Sequence, residues 1–79
     1  MAWWKSAQFN DPIVAVRGFE IPEQMGGGEI VEGRVYRLRK VFPDCYCAGD
    51  VLVHLQGIRM LHPFGGMEPG FEVEYFRPA

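Results

Sequence analysis

Hydrophobic and polar positions alternate over three stretches of the chain. In RVYRLRKVF, residues 34–42, Tyr36 and Leu38 alternate with Arg37 and Arg39. A period of two marks a strand with one face in the core and the other in water. The pattern slips at Lys40, Val41 and Phe42, which predicts a bulge or a strand end there. Residues 50–56 place Val51, Val53 and Leu55 on one face and Leu52, His54 and Gln56 on the other. Residues 71–76 alternate almost perfectly, with Phe71, Val73 and Tyr75 inward and Glu72 and Glu74 outward. Arg77 and Pro78 then end the ladder, because proline has no N–H to donate. A short β-branched run over residues 13–17 predicts a further strand.

The connections read from their turn residues. FPDCYCAG, residues 42–49, contains Pro43, Asp44 and Gly49, enough for the turn of an antiparallel hairpin between residues 34–42 and 50–56. Pro22 and the triple glycine Gly26, Gly27 and Gly28 predict a mobile connection over residues 25–33. That glycine run lacks the lysine, the Ser or Thr and the following helix of a phosphate-binding loop. Residues 57–70, broken by Pro63, Gly65, Gly66 and Pro69, predict a loop with a single turn around Ile58 to Leu61. Residues 1–12 read as an irregular, floppy lead-in, and residues 13–79 as one domain. No segment carries a capped 3.6-residue period. The predicted fold is all-β: a small SH3-like barrel of four to five antiparallel strands with long loops and little or no helix. Left flat, such a sheet exposes an apolar face and two edges, and curling buries the face.

Composition narrows the function classes. The chain has 79 residues, 48% of them hydrophobic and 14% aromatic, so it builds one small packed core. Eight Lys and Arg against ten Asp and Glu give a net charge of -2, without the basic excess usual for nucleic-acid binding. No apolar run approaches a membrane span and no signal-peptide pattern opens the chain. A cytoplasmic protein, monomeric or paired through an exposed strand edge, is the expectation.

The residues of the strands also carry a resemblance. VEGRVYRLRKV (31–41), VLVHLQGI (51–58) and the terminal Phe76-Arg77-Pro78, with IVAV (13–16) as first strand, resemble a group of short phage and prophage proteins. That group shares a K-G-x-x-Y-x-V strand, an L-x-L-x-x-I strand and a closing R-F-R-P. Here Arg34 follows Val31-Glu32-Gly33 where Lys-Gly often stands, and Tyr75 replaces the first arginine of the closing motif. The resemblance spans residues 13–78. It implies phage origin, a bacterial host cytoplasm and an SH3-like fold, and it carries no activity with it.

Three sets of residues hold the candidate chemistry. Cys45 and Cys47, spaced C-x-C, with His54 and His62 would supply the four ligands of a zinc site, but no repeated C-x-x-C fixes the spacing. The competing reading is two thiols in a turn and two surface or rim histidines; no cofactor and no catalytic constellation is expected. Arg37, Arg39 and Lys40 form a basic stripe that would suit a nucleic acid, with Tyr36, Tyr46 and Tyr75 as stacking surface. The plainer account pairs Arg37 and Arg39 across strands with Glu72 and Glu74. Trp3 and Trp4 either plug an open barrel end or anchor a partner. The expected function is a non-enzymatic module that docks on a host or phage protein, one form of which inhibits a host defence system as anti-CRISPR proteins do. Its expected contacts are Arg37, Arg39, Tyr75 and Arg77, with Trp3 and Trp4 as anchors. A small nucleic-acid-binding protein and a zinc-stabilised domain are the alternatives.

Overall fold

A computed structural model describes residues 2–44, 48–62 and 64–79 of the protein. Seven strands run in chain order among these residues: β1 Pro12–Ala15, β2 Phe19–Glu20, β3 Glu29–Ile30, β4 Val35–Pro43, β5 Val51–Leu55, β6 Phe71–Glu72 and β7 Phe76–Pro78. Three single 3-10 turns, Trp3–Lys5, Glu23–Met25 and Val73–Tyr75, are the helical content of these residues. The main sheet is antiparallel with the order β6-β5-β4-β1-β7, and β2 and β3 form a separate two-stranded ribbon. No ladder joins β6 to β7. Both edge strands are short, and Pro78 interrupts the donor row of β7, features that discourage edge-to-edge pairing.

The β4–β5 hairpin forms as its alternation dictates. Val53 and Leu55 point inward and are fully buried, opposite Val41 and Leu38 of β4 respectively. β1 supplies Ile13 and Ala15 to the same core, and Ile21, Ile30, Met60, Phe71, Val73 and Phe76 complete it. Burying these side chains contributes about 1.5–3 kcal/mol for each large one.

The end of the chain departs from the single strand expected over residues 71–76. Leu52 pairs with Glu72 on one edge of the sheet, and Ala15 pairs with Phe76 on the other. The 3-10 turn Val73–Tyr75 makes the crossing from one edge to the other, with Glu74 exposed to solvent. With three residues per turn, Val73 and Phe76 fall on one side, and both are buried.

Two segments expected to be loose are tied down. Asn10 donates its N–H to the Leu38 carbonyl at 2.7 Å, and its side-chain oxygen accepts from Gln56 at 3.0 Å. Residues 25–33 contain β3, and the Ile21 N–H donates to the Gly28 carbonyl at 2.8 Å. The turn expected around Ile58 to Leu61 does not form; those residues are extended or irregular. The Leu61 N–H instead donates to the Met25 carbonyl at 2.9 Å, linking the long connection to the β2–β3 ribbon.

Candidate functional site

A densely connected polar group among the described residues starts from a bulge. Register runs from Leu38 opposite Leu55 to Lys40 opposite His54, so Arg39 is the extra residue of β4. A bulge frees its residue from strict alternation and re-aims the side chain. The guanidinium reaches the connection over residues 57–70. It makes a forked pair with Glu68, Nη1 to Oε1 at 3.1 Å and Nη2 to Oε2 at 2.7 Å. Nη2 also donates to the Ile58 carbonyl at 3.0 Å and Nε to the Leu55 carbonyl at 3.1 Å. Glu68 Oε2 accepts the Met60 N–H at 3.1 Å. Burial pushes the Glu68 carboxyl up, but the Arg39 and Met60 hydrogen bonds and the His54 and Arg39 charges outweigh it and hold it below its ordinary value. Arg39 is therefore a structural clamp, with 21% of its side chain exposed, and not the free contact residue that the alternation predicts.

His54 is not a rim histidine either. It is 8% exposed, its ring lies 4.4 Å from that of Phe42, and Nε2 stands 3.2 Å from the Glu68 carbonyl oxygen. Its partner is the backbone of the same connection that Arg39 clamps. His62 is half-buried, and its Nδ1 accepts the Phe64 N–H at 3.1 Å. Cys45, Tyr46 and Cys47 lie outside the described residues. Among the described residues no group of three His, Cys, Asp or Glu side chains could hold a metal ion.

The structure brings together two of the six expected contact residues. β1 lies between β4 and β7, with Val14 opposite Val35 on one side and Arg77 on the other, and with Pro12 opposite Arg37. Directly opposed residues share a face, so Pro12, Val14, Val35, Arg37 and Arg77 occupy the outer face of this half-sheet. Arg37 and Arg77 are exposed, as are Val35 and the neighbouring Val16. Arg37 donates to the Asn10 carbonyl at 3.2 Å. The expected pairing with Glu72 and Glu74 does not form. Glu72 borders β5 and Glu74 lies in the crossing turn, so neither stands across from β4.

The aromatic members of the set are engaged elsewhere. Tyr75 is half-buried, 5.2 Å from the Phe19 ring, with the Arg17 guanidinium 5.0 Å above it. Trp3 and Trp4 meet edge to face at 6.0 Å and pack against the core. Both are half-buried. Lys40, the third cation of the stripe, sits 5.7 Å from the Phe42 ring.

Two connected grooves complete the surface. One, of about 420 Å³, lies between Phe42 and Leu52 on the outer face of β4 and β5 and residues 65–70. The other, of about 220 Å³, runs between the β2 end of the ribbon and the crossing turn, with Phe19 and Tyr75 in its wall. Met25, Gly70 and Glu72 line both. Gly70 fixes their shape: a Cβ there would lie 2.7 Å from Phe42 Cζ and 2.8 Å from Leu52 Cβ. Among the described residues no helix is long and apolar enough to cross a membrane. No family model matches the chain, and no curated protein or solved structure does either.

Proposed function

We propose that the chain is a non-enzymatic, phage-encoded binding module that docks on a protein of the phage or its host. The observation that carries this reading is the outer face of β4, β1 and β7. Arg37 and Arg77 share this face with the exposed Val35 and the buried Val14, and Val16 is exposed just beyond β1, a mixture of cation and apolar surface suited to an acidic protein patch. The action is occlusion of that patch, and inhibition of a host defence system is one form of it. The strand order, with a long β4 shared by both halves and a 3-10 crossing before the last strand, supports an open SH3-like barrel as the scaffold.

The test is affinity capture from host lysate with the wild-type chain and with R37E/R77E. A partner retained by wild type and lost by the variant, at unchanged melting temperature, supports the reading. Equal capture by both, or no partner at micromolar concentration, overturns it. One observation favours a second reading. Neither Arg37 nor Arg77 has a carboxylate opposite it in the ladders, so both cations are open to phosphate. A nucleic-acid module predicts binding that falls steeply between low and high salt.

A further inference from the structure

The two grooves carry an inference that does not depend on the Arg37 and Arg77 face, since neither residue lines them. Both have apolar lining: Phe42 and Leu52 in the larger, Phe19 and Phe71 in the smaller. Their lining charges have one sign, and the nearest cations, Lys40 over the Phe42 ring and Arg17 over the Tyr75 ring, stand behind the lining. Asp44, Glu68 and Glu72 line the larger groove, Glu20 and Glu72 the smaller, and no Lys or Arg is among the described residues that line either. Glu68 is paired with Arg39 and lies 3.9 Å from Arg59, so the charge that the site presents comes chiefly from Glu72 and Glu20. Glu72 sits where the grooves join, half-buried on β6. Beyond Glu20, a shallower hollow adds Glu23 and Glu29. A concave surface with carboxylates on low-dielectric walls concentrates cations. Met67 is two-thirds exposed at the rim, and Phe64 close by is 93% exposed. A wall held by the Arg39–Glu68 clamp and a lining fixed by Gly70 present this surface ready-shaped.

We propose that the joined grooves are a docking site for an extended segment of a partner protein that carries Lys or Arg beside apolar side chains. The apolar residues would cover Leu52 and Phe42, and the cation would meet Glu72 at the junction, with Glu20 next along the path. A short apolar segment alone would leave the carboxylates beside an unpaired, partly dehydrated surface. An acidic segment would be repelled.

A random peptide display library selected against the immobilised full chain tests this. The expected result is enrichment of sequences that combine Lys or Arg with apolar residues. Synthetic copies should shift the amide resonances of Met25, Leu52, Gly70 and Glu72. Their affinity should fall by about tenfold against E20Q/E72Q, as for loss of close charge pairs at an interface, and stay unchanged against R37E/R77E. The neutralising changes keep side-chain volume at accessible positions, and the melting temperature of each variant checks its folding. Enriched peptides without a cation, no enrichment, or full affinity for E20Q/E72Q each overturn the proposal. So does self-association of the chain through the groove residues. Loss of binding in R37E/R77E would return the interaction to the sheet face and leave the grooves unassigned.

Discussion

Arg39 Nη2 stands 2.7 Å from Glu68 Oε2, and the two side chains meet as a fork although 28 residues of hairpin and loop separate them. The pair, with the Arg39 bonds to the Leu55 and Ile58 carbonyls, holds an otherwise irregular connection against the sheet. R39A and E68A should each destabilise the fold by about 2–3 kcal/mol, because each removes the forked partner of a partly buried charge, and the exposed Arg59, 3.9 Å from Glu68, replaces little of it. R39K should recover little of the loss, since lysine keeps the charge but not the planar fork. Urea denaturation of the two single variants and the double variant measures the coupling. Additive losses would show that the two residues act independently.

The same pair sets a pH dependence. The carboxyl of Glu68 is held below its ordinary value in the folded chain. Its contribution is therefore complete above the unfolded carboxyl range and is lost as pH falls through the lower folded value. The stability gap between wild type and E68Q should stay constant from neutral pH down to the ordinary carboxylate range. It should narrow as the pH falls further. Urea midpoints of both proteins along an acid series read this directly, and a gap that widens toward acid would contradict it.

Gly70 is required by space. Its missing Cβ would press on Leu52 Cβ, which is fixed to the backbone, as well as on the far end of the Phe42 ring. G70A should cost about 1–3 kcal/mol through overpacking. Adding F42L should restore only part of this, because the contact with Leu52 remains. Full rescue in thermal melts would show that the Phe42 ring alone sets the limit.

The sequence made some of this architecture legible and hid the rest for identifiable reasons. Val53, Leu55 and Leu38 announce the β4–β5 hairpin, because burial on one face of a strand imposes strict alternation. The slip near Lys40 announces a bulge or a strand end, but it does not show that the strand runs on to Pro43, that Arg39 is the bulged residue or that it turns toward the connection over residues 57–70. Glu68 stands in a Gly- and Pro-rich stretch where one carboxylate has no pattern to mark it; its role depends on a contact far along the chain. Phe71, Val73 and Tyr75 imitate a continuous strand because a period of two and a single 3-10 turn both bury Val73. The crossing follows from which edges β6 and β7 join, a long-range fact absent from local periodicity. The grooves likewise depend on where residues 65–70 fold back over Phe42 and Leu52, and Gly70 is their one sequence trace.

Trp3 and Trp4 decide between plug and anchor. Both are half-buried against the core, on a segment held by the Asn10 bonds to Leu38 and Gln56. As plugs, each should contribute about 2 kcal/mol of stability, less than a fully buried tryptophan because part of each ring stays wet. W3A and W4A should then lower the unfolding midpoint and leave capture of a partner by the Arg37 and Arg77 face unchanged once folding is restored by cooling. The intrinsic fluorescence of wild type should shift to the red on unfolding, since these are its only tryptophans. An anchor behaves in the opposite way. Its removal would spare the unfolding midpoint and abolish capture, and that outcome would move Trp3 and Trp4 from the core account to the binding surface.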